Sequence, residues 1–387
     1  MMLALQLRAT AMNSDSPKPG DSSTSNASAD AVRTRVFLTS IARDLGIASE
    51  TAANVRFTDA GSLPSVFAVS DLATAAVAAA ASAIAELVAA RFGSTPTMTV
   101  SRRLSSLWFG WSIRPLGWNL PAPWDPIAGD YPTSDGWIRL HTNAPHHRDA
   151  ALSVLGVSAD KTAVSQAVAQ RTAEELEAAV VQKKGCAAAM RSMAAWATHP
   201  QGQSVAREPL IAALATDDIA DSNPSSSTPT RPLRGIRVLD LTRVLAGPVA
   251  TRFLAGFGAD VLRIDPPAWD EPGVVPDVTL GKRCARLDLK NADSRATFEM
   301  LLSTTDIFLH GYRPGALDHL GYGATARRNL APGLIDIGLS AYGWSGPWQY
   351  RRGFDSLVQM STGIADTGMQ WNRADRPEMA RWPAARS

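Results

Sequence analysis

The residues best placed to do chemistry sit in three glycine-bearing turns: LTRVLAGP at 241–248, HGYRPG at 310–315 and LSAYGWSGP at 339–347. In the first, Arg243 stands beside a helix start at Ala246, Gly247 and Pro248. Free N–H groups at a helix start, joined by a guanidinium, accept a phosphate or a carboxylate. The turn has no G-x-G-x-x-G, so a pyrophosphate pressed into the helix start is not expected, and a plain strand-to-helix turn is the alternative. Asp265 closes the following strand just before Pro266-Pro267; it serves either a ribose hydroxyl or the turn itself. Arg351, Arg352 and Asp355 offer an anion contact, loop geometry or simple surface solvation.

The elements that position these turns are legible around them. IRVLDLT reads as a strand buried on both faces, and Pro248 as the first residue of the helix VATRFLAGFG, with Val249, Phe253, Leu254 and Phe257 on its apolar face. ADVLRID, DIFLHGY and LIDIGLSAYG read as further strands, and SRATFEMLLSTTD as a helix. This βαβ alternation predicts a parallel sheet with ligands outside the carboxyl ends of its strands, where all three turns lie.

The 387 residues suffice for two or three domains. We expect an irregular tail over 1–34, a mainly helical module over 35–214 containing the strand DGWIRLHT, a Ser/Pro-rich linker over 215–232, the α/β module over 233–370 and an irregular end over 371–387. A net charge of +2 gives no global field for nucleic acid or an anionic membrane. Cys186 and Cys284, far apart, suggest neither a disulfide framework nor zinc, and a reducing cytoplasm is the expected compartment. The Ala-rich stretch Asp71 to Gly93, interrupted by Glu86, reads as a packed helix rather than a bilayer span. His146 and His147 read as lying in a polar loop that does not suit a metal, and Trp108, Trp111, Trp118 and Trp124 read as packing or subunit contacts.

Five ordered motifs, PLRGIRVLDLTRVLAGP, FGADVLRID, LDLK, YRPGALDHLGYG and LSAYGWSGPWQYRRGFDSLVQMSTG, together resemble the N-terminal half of the family III CoA-transferases. The resemblance implies a Rossmann-like α/β domain with a smaller α+β part, coenzyme A as the thioester substrate, no metal, a carboxylic acid as acceptor and an interlocked homodimer. It places Arg243, Ala246, Gly247 and Arg313 near CoA. The region before the linker resembles the family's second half, so the halves run in reversed order.

In the family an Asp at the start of the long helix is the nucleophile, and Asp71 is its counterpart here. The resemblance implies attack by this carboxylate on an acyl-CoA thioester through an acyl-aspartyl anhydride. The plain alternative for Asp71 is a helix N-cap, worth about 1 kcal/mol. The family's Asp-Ala after the following strand is Arg103-Leu104 here, and its Asn in the RPG turn is Gly311. Racemases of the same fold need a His where Phe354 stands, which favours transfer over racemisation. A CoA-binding or interaction protein without catalysis is the rival reading.

Overall fold

The computed structural model describes residues 23–108, 112–122, 124–214 and 226–379, and the chain divides into two compact units. Most of the expected tail and linker, Trp111 and the last residues of the expected C-terminal end lie outside the described residues.

The first unit holds α1 (Ser23–Leu45), α2 (Ser49–Ala53), β1 (Arg56–Thr58), α3 (Val69–Phe92), β2 (Thr99–Ser101) and α4 (Arg102–Leu107). Helix α1 begins inside the stretch expected to be an irregular tail. Its Leu38, Ile41 and Ala42 are buried against Ala75, Ala78, Ala79 and Ala85 of α3, so tertiary burial overrides the polar composition of its start. Helix α3 is the one described helix long and apolar enough to cross a membrane, and those alanines, at most 1% exposed, form its protein-facing side. β1 and β2 pair in parallel.

The second unit begins with β3 (Gly129–Pro132), β4 (Trp137–Leu140), α5 (Pro145–Leu155), α6 (Lys161–Ala169), α7 (Ala173–Gln182), β5 (Ala187–Ala189), α8 (Met193–Thr198) and α9 (Pro200–Val205). The expected strand at 135–142 is the middle of a three-stranded antiparallel sheet, β3-β4-β5, covered by Ala151, Val164, Val168, Leu176 and Val180 of the helices. Continuing along the chain are β6 (Arg237–Leu241), α10 (Ala246–Gly256), β7 (Asp260–Asp265), α11 (Val275–Val278), β8 (Lys282–Arg286), α12 (Ala292–Leu302), β9 (Ile307–His310), a 3-10 turn at Asp318–Leu320, α13 (Ala324–Leu330), β10 (Ile335–Gly338), α14 (Asp355–Ser361) and α15 (Ile364–Asn372). Strands β6 to β10 form one parallel sheet in the order β10-β9-β6-β7-β8, as the alternating pattern predicts.

The first compact unit runs to Ser112 and takes in Pro209–Ala213 again, while Ile113–Glu208 groups with the residues that follow the expected linker. The reason is packing: Cys186 and Ala188 of the small sheet share a core with Leu357, Met360 and Ala365, and the Arg191 N–H donates to the Met360 carbonyl. The small sheet therefore shares its core with α14 and α15, which follow the parallel sheet in the chain.

Candidate functional site

Strand β6 lies between β7, which follows it in the chain, and β9, reached only after β8 has been laid on the far side. The crevice between the loops after β6 and β9 is thus the topological switch of the sheet, where open parallel sheets hold ligands. Arg243 spans it. Its Nη2 donates to the Tyr312 hydroxyl at 3.1 Å, and its guanidinium lies over the rings of Tyr312 and Trp269, 5.2 and 5.1 Å from their centroids. Arg243 Nε and Trp269 Nε1 are buried without a hydrogen-bond acceptor among the described residues. Asp265 is drawn into ion pairing, accepting from Arg263 at 2.8 Å, with Arg243 Nε 3.9 Å away.

The same loop is strained. Val244, a β-branched residue, sits at φ 65, and its N–H donates to Glu271 Oε1 at 2.9 Å. Such a conformation costs about 1–3 kcal/mol and persists only where surrounding bonds impose it. Helix α10 then starts at Ala246, whose N–H and that of Gly247 have no helical carbonyl to bond. Pro248 is the third helical residue rather than the first, still within the turn where a missing N–H costs nothing. A Cβ on Gly247 would run into the Thr242 side chain, so only glycine lets the helix start approach the strand end. The buried face of α10 is Gly247, Pro248, Thr251 and Ala255, with the predicted Val249, Phe253, Leu254 and Phe257 only half covered. Small side chains win there because the helix is pinned close. Thr251 donates to Asp240 at 2.5 Å, and Lys282 Nζ reaches Asp240 Oδ2 at 3.0 Å and the Pro248 carbonyl at 2.7 Å. Burial pulls the pKa of Lys282 down, opposed by Asp240.

Tyr312 and Arg313, neighbours in the loop after β9, serve different surroundings. Arg313 lines a cleft of about 300 Å³ together with Lys184, Arg351, Arg352 and Tyr350. Arg351 is committed to Glu177, at 2.8 Å, and to the Ala187 carbonyl. Arg352 donates to the Lys184 carbonyl at 3.0 Å. Among the described residues no carboxylate lies within ion-pair distance of Lys184, Arg313 or Arg352. Burial, and then the neighbouring Arg352, lower the pKa of Arg313. An anion relieves this crowding of like charge.

Asp71 belongs to the first unit, and Arg243, Ala246, Gly247 and Arg313 belong to the second. It is not an N-cap: Ala68 holds that position, and Asp71 is the third residue of α3, 1% exposed. Its Oδ1 accepts from Arg102 Nη1 and from the Thr34 hydroxyl, each at 2.9 Å, and its Oδ2 from Arg33 Nε at 3.3 Å. Arg102 also donates to Ser62 and to the Gly61 carbonyl. The carboxylate is enclosed by its own unit, with both oxygens engaged.

Residues 233–385 match the model of CoA-transferase family III. That segment is similar to the family. A succinyl-CoA–D-citramalate CoA-transferase of Chloroflexus aurantiacus is 35% identical over 167 residues, 40% of this chain and 40% of that protein. An acyl-CoA transferase of Gibberella moniliformis is 28% identical over 253 residues, 60% of this chain and 44% of that one, a share larger than residues 233–387 can hold. Among solved structures, a hypothetical protein of Mycobacterium tuberculosis is 31% identical with a TM-score of 0.35, covering 40% of this chain and 45% of that one. The chain spans 24% to 44% of the length of the curated relatives it matches.

Phe354 stacks on His141, ring centroids 3.8 Å apart. His146 and His147 open α5 rather than lying in a loop; His147 is 3% exposed and burial lowers its pKa to about 4. Burial, with Arg139, lowers that of His141 to about 3. Trp108 falls in the first unit and Trp118 and Trp124 in the second; Trp124 lies beneath Arg139. Sequence reasoning missed Lys184, Trp269 and Glu271, which carry no motif and reach the loops only through the fold.

Proposed function

We propose that the chain binds an acyl-CoA through the loops after β6 and β9 and acts in transfer of CoA between a thioester and a carboxylic acid, as a homodimer. The observation that carries this reading is the cationic cleft at Lys184, Arg313 and Arg352, which has no carboxylate within ion-pair distance among the described residues and suits the phosphates of CoA. In this reading Arg243, Ala246 and Gly247 hold the nucleotide end at the switch crevice. The relatives' names, with citramalate as an acceptor acid, support the reaction class.

In this reading an aspartate attacks the thioester carbonyl, the C–S bond breaks and CoA leaves as thiolate. The thiolate then attacks the aspartyl carbonyl of the mixed anhydride, releasing the first acid and leaving an aspartyl-CoA thioester. The acceptor carboxylate attacks that thioester to form a new anhydride, and returning thiolate takes the acceptor's acyl group and frees the aspartate. Asp71 is the candidate, and to act it must shed Arg102 and Thr34. That enclosure favours a second reading, CoA binding without exchange.

Calorimetry with CoA, mass-spectrometric exchange assays over a panel of acyl-CoAs and acids, and light scattering for the dimer separate these outcomes. Exchange that is lost in Asp71→Asn supports transfer through Asp71. CoA binding without exchange supports the second reading, and absence of CoA binding refutes both.

A further inference from the structure

The third glycine-bearing turn, after β10, holds a carboxylate already. Glu208 Oε1 accepts from the N–H of Trp344 at 3.0 Å, the N–H of Ser345 at 2.7 Å and the Ser345 hydroxyl at 2.5 Å, while Oε2 accepts from Trp344 N–H at 3.1 Å. Consecutive backbone N–H groups converging on one anion form a nest, a shape that binds carboxylates and phosphates. The turn is built around its occupant: Gly343 and Gly346 take φ 88 and 82, and a Cβ on Gly343 would stand 2.7 Å from Glu208 Oε2. Its far side is fixed independently. Gln201, fully buried, donates to the Tyr342 and Ser345 carbonyls at 2.6 and 2.8 Å and accepts from Trp348 N–H at 2.6 Å. Gln201 thus braces the nest by bonds that do not involve Glu208. Glu208 itself is only half-buried and has no cation within ion-pair distance among the described residues, so it is held by this turn alone.

We propose that the Gly343–Gly346 turn is a seat for the carboxylate of an acid substrate, that Glu208 closes it in cis, and that the acid enters by displacing Glu208. The turn lies at the carboxyl end of the parallel sheet, as do the loops carrying Arg243 and Arg313. The inference rests on the CoA-transfer reading for the identity of the acid as acceptor. An occupied seat lowers apparent affinity by the fraction of time it is closed, so removing Glu208 tightens binding without adding a contact.

The test uses the full chain labelled with nitrogen-15 and succinate as probe, with succinamide as its uncharged counterpart. In Glu208→Ala, succinate shifts the Trp344 and Ser345 amide signals saturably, with apparent affinity at least tenfold above that of the unaltered chain, and succinamide does not. Glu208→Gln, which keeps the side chain's shape and one acceptor oxygen, gives an intermediate affinity and guards against loss of the loop in the Ala variant. The proposal is overturned if succinate leaves both amides unmoved in the two variants, or if succinamide moves them equally. Adding CoA to the same samples keeps the two readings apart. Shifts at Arg243 and Arg313 with no succinate response sink the seat alone, and a succinate response without CoA shifts sinks the CoA reading alone.

Discussion

Removing Arg102 from Asp71 is the sharpest test of what that carboxylate does. The pair is 2.9 Å apart with side chains 6% and 2% exposed, and a second hydrogen bond runs through Thr34. At an effective dielectric of about 20 the Coulomb attraction at this distance is about 6 kcal/mol, most of which offsets desolvation of the two ions. Arg102→Met keeps the volume but leaves the carboxylate with Thr34 and with Arg33, which is half exposed. The loss expected on breaking a buried pair is about 3–5 kcal/mol, and Asp71→Leu, which strands the guanidinium, costs a similar amount. The double variant Arg102→Met with Asp71→Leu buries no charge and should lie within about 2 kcal/mol of the unaltered chain, a coupling of about 3 kcal/mol or more. Urea unfolding followed by circular dichroism, with separate transitions fitted if the two units melt apart, measures the cycle. Single losses below about 1 kcal/mol that simply add would show that Asp71 is open to water, and would restore the nucleophile to first place.

Other outcomes follow from the second unit. Arg313→Ala should weaken CoA binding about tenfold, with a shallower salt dependence, as measured by calorimetry at two ionic strengths. Lys282→Met leaves Asp240 buried without its cation, and thermal melting should register a loss of about 3 kcal/mol. Val244→Gly relieves a positive φ and should cost nothing, or stabilise slightly, against the roughly 1 kcal/mol expected for a glycine elsewhere. His141, His147 and His310 are buried with pKa values near 3, 4 and 4, so the unfolded chain binds their protons first as pH falls below about 6.5. Their contribution is complete above that pH and is lost toward pH 4, about 2 kcal/mol for each between pH 7 and 5, and His147→Gln should flatten the melting-temperature profile.

The parallel sheet was readable because its strands are short apolar runs set between helices with clear turn chemistry, and four of its five strands follow that pattern. β8, KRCAR, did not, since its charged residues lie at the sheet edge and its side chains are largely exposed. β5 is three alanines, a helix-forming composition that becomes a strand only by pairing with β4 and packing under α14. The face of α10 misled for a related reason. Hydrophobicity pointed to Phe253 and Phe257, whereas close approach to the sheet selected the small residues Gly247, Thr251 and Ala255.

By itself the sequence determined the α/β class, the likeness of residues 233–370 to the CoA-transferase family and the three glycine turns at the carboxyl ends of the strands, because local periodicity and short motifs encode strands, helix starts and glycine turns. Tertiary structure alone decided what those turns hold. Arg243 meets Tyr312 across 69 positions of chain, Lys184 joins Arg313, Glu208 enters the nest of Trp344 and Ser345, and Arg102 encloses Asp71. Ion pairs and hydrogen bonds between distant segments leave no periodic trace, so the difference between an available carboxylate and an enclosed one is written only in the fold.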